Sequence, residues 1–249
     1  MAEPGDVATG PGWELRCGRW QVVLDNVEAN ACITDPPYGA RTHQGHDHDA
    51  RDSSISYDSL TFTDAASFAR YWSRRHRVGS WVCIMTSHDL VPAIESAMAA
   101  NDRYVFAPVP LLQHRPRLTG DGPGSGAIPM VVSRPRESRF MRWGSLPCWY
   151  MSTSERGAAV VGAKPLELMR AIVRDYSRPG DLIVDPCAGG GTTLLAAVME
   201  GRRAIGAEMD PETFEKAAAR LRRGYTPDLF ASVADKPEPE QTEMFDGLP

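Results

Sequence analysis

The stretch LIVDPCAGGGTTLLAAVMEGRRAIGAEMD, residues 182–210, decides the fold. An apolar run, Leu182 to Val184, is closed by Asp185 and a turn holding Gly189, Gly190 and Gly191. Thr192 to Glu200 then reads as a helix ended by Gly201, and Ala204 to Ala207 is a second apolar run that stops at Glu208. Strand, glycine turn, helix and strand make the unit of a parallel sheet, because a parallel return needs a crossover and a helix supplies it. The glycines let the backbone approach a ligand closely, and the helix amino terminus offers N–H groups to an anion. Glu208, seventeen residues past Gly191, ends the next strand, where an acidic side chain can grip ribose hydroxyls. Asp185, Cys187, Ala188, Gly189, Gly191, Thr192 and Glu208 are therefore candidate contacts to a nucleoside-bearing ligand.

The same alternation runs outward from this unit. Ala31 to Thr34 is a predicted strand ending at Asp35, Thr63 to Val78 a helix with Phe68, Tyr71 and Trp72 on one face, and Ser80 to Met85 a buried strand, followed by another at Tyr104 to Pro108. Pro165 opens a helix whose stripe of Leu166, Met169, Ile172, Val173 and Tyr176 stops before Pro179-Gly180. The last helix, Pro211 to Arg223, has Glu212 at its positive end and Arg220, Arg222 and Arg223 at its negative end. The fold class is α/β: an open, mostly parallel, Rossmann-like sheet with helices on both faces. With 249 residues, 42% of them apolar, one substantial core is expected. The expected layout is a flexible N-terminus at 1–14, a catalytic domain at 15–225 carrying an insert at 108–157, and an acidic disordered tail at 226–249.

A second motif, Asp35-Pro36-Pro37-Tyr38, follows its strand directly, at the carboxyl edge where open α/β sheets bind ligands. Two consecutive prolines fix φ and remove two donors, so the Pro36 carbonyl and the Asp35 carboxylate can be held as acceptors for an amino group. Tyr38 adds a flat face for an unstacked base, a contact worth about 1–3 kcal/mol per base.

Composition narrows the partners. The net charge is −5, yet from Thr226 onward six acids face only Lys236, so the remaining body is neutral. Within it, residues 108–157 hold seven arginines against three acids. Arg115, Arg117, Arg134, Arg136, Arg139 and Arg142, with Trp143 among them, suit phosphates and base edges and mark this insert as the expected nucleic-acid contact. Five widely spaced cysteines without a CxxC pair argue against a disulfide framework or a zinc site. Met1 to Gly12 has neither a basic start nor an apolar stretch, and no run reaches membrane-spanning length, so the expectation is a cytoplasmic protein with no membrane partner. His43, His46 and His48, with Asp47 and Asp49, read as a polar loop rather than a metal site.

Together the two motifs resemble the amino-methylating DNA methyltransferases, whose (S/N/D)PP(Y/F) element is catalytic and whose FxGxG-type turn holds S-adenosylmethionine. The order of catalytic motif, recognition insert and cofactor motif is that of the beta class, and Lys164-Pro165 stands where such enzymes begin the helix before the glycine turn. Cys187 replaces the usual Phe, and Gly18-Arg19 the usual Gly-Asp. The resemblance implies transfer of a methyl group from S-adenosylmethionine to adenine N6 in double-stranded DNA after base flipping, as in restriction–modification systems. Asp35, Pro36, Pro37 and Tyr38 would be catalytic, with Asp35 and Lys164 also at the cofactor and no metal required. Asp35, rather than the Ser more frequent in cytosine-N4 enzymes, favours adenine. The alternatives are cytosine N4, an RNA substrate, or a regulatory subunit that kept the fold. Gln241, Met244 and Phe245 resemble a peptide that docks on bacterial sliding clamps, and a monomer or homodimer is expected.

Overall fold

A computed structural model describes residues 2–39, 59–117, 124–137, 143–152 and 164–224. Among them lie ten strands: β1 Val7–Gly10, β2 Trp13–Cys17, β3 Ala31–Thr34, β4 Val82–Met85, β5 Arg103–Val105, β6 Val109–Arg117, β7 Ser125–Pro135, β8 Tyr150–Ser152, β9 Leu182–Asp185 and β10 Arg203–Glu208. The helices are α1 Trp20–Val23, α2 Phe62–Trp72, α3 Val91–Ala99, α4 Leu166–Tyr176, α5 Thr192–Met199 and α6 Pro211–Arg223. One sheet runs β1-β2-β10-β9-β3-β4-β7-β6-β8, with β5 paired to β7. Its middle, from β2 to β4, is parallel; β1, β7 and β6 join antiparallel.

Side-chain alternation divides the core between the two faces. Ile33, Cys83, Met85 and Ile183 point into a cluster with α4, α5 and α6, through residues such as Ile172, Leu194 and Phe214. Their neighbours Cys32, Val82, Ile84 and Val184 point the other way, onto Phe68 and Trp72 of α2 and Ile94 and Met98 of α3. Every residue of β3 and β4 is buried, which is why these strands read as unbroken apolar runs. Local signals fix the helix ends. Thr61 and Asp64 form a capping box on α2, and Asp210 accepts the Thr213 amide at 2.8 Å before Pro211 opens α6.

Two sequence expectations are corrected, and a third segment takes its place in the sheet. Val7–Gly10, read as part of a flexible N-terminus, is an edge strand whose register on β2 runs from Val7 opposite Arg16 to Gly10 opposite Trp13. Among the described residues of 108–157, expected as an insert carried by the catalytic domain, β6 and β7 form a hairpin in the main sheet, and β7 pairs with both β4 and β5. The helix expected to reach Val78 ends at Trp72 with Ser73 as its cap, and Val78 instead bridges Ala29. Residues 118–123 and 225–249, which include the clamp-like Gln241, Met244 and Phe245, lie outside the described residues.

Candidate active site

Strand order creates the site. β9 lies between β3 and β10, so Asp35, Asp185 and Glu208 leave three adjacent parallel strands at one edge. At that edge the Tyr38 hydroxyl donates to Asp35 Oδ1 at 2.8 Å. Lys164 donates to Asp35 Oδ2 and, at 2.9 Å, to the Tyr38 hydroxyl oxygen, with its ammonium 5.3 Å from the centre of the Tyr38 ring. Lys164 thus closes a triangle with Asp35 and Tyr38, although 126 residues separate it from Tyr38 in sequence. Burial, and then the neighbouring Asp35 carboxylate, pushes the Tyr38 phenol well above its ordinary pKa, so it stays a neutral donor. Pro36 is buried, and the chain leaves the motif under restraint: the Gly39 amide donates to Ser87 Oγ at 3.1 Å, and the Leu60 amide to the Tyr38 carbonyl at 3.1 Å. A Cβ on Gly39 would lie 2.5 Å from the Asp89 carboxylate, so no larger residue fits there without movement.

The glycine turn is tied to this motif by one residue. Thr34, immediately before Asp35, donates its hydroxyl to Asp185 Oδ1 at 2.7 Å, and the Cys187 amide donates to the same oxygen at 3.1 Å. Asp185 is 2% exposed, and burial pushes its pKa up to about 6, with Asp35 adding repulsion and hydrogen bonds from Thr193, Thr34 and Cys187 pulling the other way. Gly189 and Gly191 hold φ of +49° and +74°, the left-handed region that favours glycine. Open space surrounds the position of a Cβ at Gly189, whereas one at Gly206 of β10 would sit 3.0 Å from Ala188 Cβ and 3.1 Å from the Asp185 carbonyl. The turn therefore packs directly on β10, and the Ala188 amide bonds the Ala207 carbonyl at 2.8 Å. Glu208 is buried beside it and accepts the Asp210 amide at 2.8 Å. Arg220 reaches from α6 to the Gly190 carbonyl at 3.0 Å and Thr192 Oγ1 at 2.7 Å, clamping the turn from outside.

Sequence reasoning missed Thr34, Thr193 and Ser87, and read Arg220 only as a charge at a helix end. Their sole sequence signal is a hydroxyl or a charge next to a motif, and only folding brings the partners into reach.

Among the described residues, the expected basic contacts are divided between the two sheet edges. Antiparallel pairing puts Ser133 of β7 beside Val82, the start of β4, so Arg134 and Arg136 lie toward the edge opposite Asp35. Arg134 stacks on Tyr104 at 5.1 Å, and Arg136 pairs with Asp102 at 3.4 Å. Trp143 packs edge-on against Trp81 under the Arg178 guanidinium, 4.0 Å from its ring centre. By register β6 runs the other way and carries Arg115 and Arg117 toward the Asp35 edge. Arg139 and Arg142, like the histidines at 43, 46 and 48, lie outside the described residues. Among the described residues no helix is long and apolar enough to cross a membrane.

Residues 119–219 match the family model N6_N4_Mtase, described as DNA methylase. The chain is 32% identical over 74 residues to Type II methyltransferase M.Cfr9I of Citrobacter freundii, which is 30% of this chain and 25% of that protein. It is 32% identical over 130 residues to Type II methyltransferase M.HindIII of Haemophilus influenzae, 49% of this chain and 42% of that protein. Over 58 residues it is 40% identical to DNA adenine methyltransferase YhdJ of Escherichia coli, 23% of this chain and 20% of that protein. The aligned region thus spans about a quarter of the first of these relatives and less than half of each of the others. In structure, the M1.HpyAVI–SAM complex superposes with a TM-score of 0.61 at 20% identity, over 84% of this chain and 99% of that one. The PvuII DNA methyltransferase (cytosine-N4-specific) gives 0.60 at 14% identity, over 87% and 89%. Strand order, site edge and superposition agree: the chain has the Rossmann-like fold of S-adenosylmethionine-dependent DNA methyltransferases.

Proposed function

We propose that this protein transfers a methyl group from S-adenosylmethionine to an exocyclic amino group of a DNA base, and that the base is adenine, modified at N6. The observation that carries the reading is the single-edge assembly in which Lys164 and Tyr38 hold Asp35 while Thr34 ties that strand to Asp185 and the glycine turn. The matches to DNA methylase sequences support it.

The residues around the turn fit the cofactor. Asp185 is a buried carboxylate held by hydroxyls and an amide, an environment complementary to a cationic ligand. Gly189 leaves open space at the turn, and Glu208 stands buried at the neighbouring strand end. Asp185, Cys187, Ala188, Gly189, Gly191, Thr192 and Glu208 would hold S-adenosylmethionine, which when bound supplies an activated methyl on a sulfonium.

An exocyclic amine is a poor nucleophile because its lone pair is delocalised into the ring. Asp35 and the Pro36 carbonyl accept its N–H groups, which draws the nitrogen toward tetrahedral geometry and frees the lone pair. Each carboxylate oxygen of Asp35 keeps an acceptor site beyond the bonds from Tyr38 and Lys164. Lys164 acts here by positioning Asp35, a role distinct from the cofactor contact expected from sequence. Asp35 also stands at the nitrogen to receive the proton released on methylation. Flipping the base from duplex DNA costs a few kcal/mol, and stacking on Tyr38 offsets part of it.

Adenine is favoured by Asp35 at the first motif position and by the likeness to YhdJ. The fold does not discriminate, since the cytosine-N4-specific PvuII enzyme shares it. The test is incubation of the protein with labelled S-adenosylmethionine and unmethylated duplex DNA, then nucleoside digestion and mass analysis. N6-methyladenine supports the proposal, N4-methylcytosine overturns the choice of base, and label in no nucleoside overturns the reading.

A further inference from the structure

We propose that a groove between α1 and the outer side of α2 carries the sugar–phosphate backbone of the DNA strand beside the flipped base, held by Arg19, Arg70 and Arg74. The inference rests on the DNA methylation reading and names where the strand runs.

The groove encloses about 840 Å³ and is lined by Arg19, Trp20 and Leu60 together with Asp64, Arg70 and Arg74, among others. It starts at the catalytic motif, because Leu60 bonds the Tyr38 carbonyl. It also touches the cofactor side: the Gly18 amide donates to the Glu208 carbonyl at 2.8 Å, which places Arg19 next to that strand end.

Charge identifies the occupant. Among the described residues six other arginines are ion-paired: Arg16 with Glu14, Arg75 with Glu137, Arg77 with Asp25, Arg136 with Asp102, and Arg170 and Arg174 with Glu200, while Arg203 on β10 and Arg222 and Arg223 at the end of α6 are exposed without an ion pair but do not line this groove. Among the described residues, Arg19, Arg70 and Arg74 have no carboxylate at ion-pair distance, although all three line one groove. The groove's single acid, Asp64, is engaged by the amide and hydroxyl of Thr61 at 3.1 and 2.6 Å. Arg70 in the last turn of α2 suits the helix dipole, but that does not account for Arg74 beyond the cap or Arg19 on another element. Three guanidinium groups without an ion pair, along a groove that leads from Leu60 at the catalytic motif toward Arg74 near the opposite sheet edge, match a run of phosphates leading away from the base.

The wall is also rigid. Trp20 packs on Tyr71 at 5.0 Å, Phe68 at 5.4 Å and Trp72 at 5.6 Å, and Arg74 lies 5.5 Å from the Tyr71 ring centre. A rigid wall needs no reordering of its backbone or rings when its cations take up phosphates. The groove starts at the catalytic motif and Arg134 of β7 does not line it, so it adds a positioning surface to the one that composition gave to residues 108–157.

The experiment measures binding of a short fluorescein-labelled duplex across about 50–200 mM salt for wild type, Arg19→Gln, the double variant Arg70→Gln/Arg74→Gln, and Arg75→Gln as an ion-paired control. Each lost phosphate contact lowers the slope of log K against log salt by about 0.9, so the double variant should lose about 1.8 and Arg75→Gln nothing. The KM for duplex substrate should rise in step. A double variant with wild-type melting temperature and an unchanged slope overturns the groove. Loss of slope with single-stranded RNA but not with duplex DNA overturns the choice of nucleic acid. A wild-type protein that methylates no DNA base overturns the functional reading instead, so the two failures are distinguishable.

Discussion

Replacing Asp185 with Asn should stabilise the protein at neutral pH while disabling its cofactor site. The carboxyl group is 2% exposed, and its pKa is pushed from 3.8 up to about 6, chiefly by burial. A rise of about two pH units, at about 1.4 kcal/mol each, means that holding Asp185 ionised in the folded state costs about 3 kcal/mol. The folded protein binds this proton more tightly than the unfolded chain, so the stabilising contribution is complete below pH 3.8 and is lost as pH rises through about 6. Asn keeps the shape and can still accept from Thr34 and from the Cys187 amide, while its NH₂ meets Thr193. Urea denaturation should therefore find Asp185→Asn more stable than wild type by up to about 3 kcal/mol near neutral pH, with the gap closing by about pH 4. S-adenosylmethionine affinity, read by calorimetry, should weaken in wild type as pH falls below about 6, and be weak and flat with pH in the variant. A variant no more stable than wild type at neutral pH, or one that binds cofactor normally, would refute the account of Asp185 as an ionised group kept at a stability cost for a cationic ligand.

Asp35→Ala and Tyr38→Ala should cut methyl transfer by at least about a hundredfold while leaving cofactor affinity near wild type, because both act on the amine; equal loss of both sinks the division of roles. Lys164→Gln should lower kcat more than it weakens S-adenosylmethionine binding, since its bonds go to Asp35 and Tyr38; a pure binding defect in equilibrium titration would return it to the cofactor. Arg220→Gln removes the clamp on Gly190 and Thr192 and should weaken cofactor binding by about 1–3 kcal/mol in calorimetry, with Asp35-dependent base contacts intact. Gly206→Ala forces a Cβ to within 2.9 Å of Leu194 Cδ1 and 3.1 Å of a backbone carbonyl, so it should cost about 1–3 kcal/mol in thermal or urea unfolding.

Much of the site was legible before folding because the chemistry sits in two short contiguous segments. Asp35-Pro36-Pro37-Tyr38 and the turn from Asp185 to Thr193 each carry their own strand end, their own special φ values and their own polar groups. Strand alternation against helix period likewise announced β3, β4, β9, β10, α4, α5 and α6 within a few residues. Elements with mixed signals were missed. β2 alternates between buried and half-buried residues across Trp13–Cys17, β6 contains Pro110 and Pro116, and α3 is short with few polar positions to mark its outer face. The arginine-rich segment was only partly legible for a related reason: composition counts charges but does not orient a strand, and antiparallel pairing carries Arg134 of β7 away from the site while β6 runs toward it.

The sequence by itself determined which groups stand at each strand end: Asp35 with two prolines and Tyr38, Asp185 with a glycine turn, and Glu208. Only tertiary structure decided that these ends meet. Strand order places β9 between β3 and β10, Thr34 bonds Asp185 from 151 residues away, and Lys164 reaches Asp35 from 129 residues away. Side-chain hydrogen bonds act over about 3 Å, so partners distant in the chain leave no periodic or local trace that a linear reading could register.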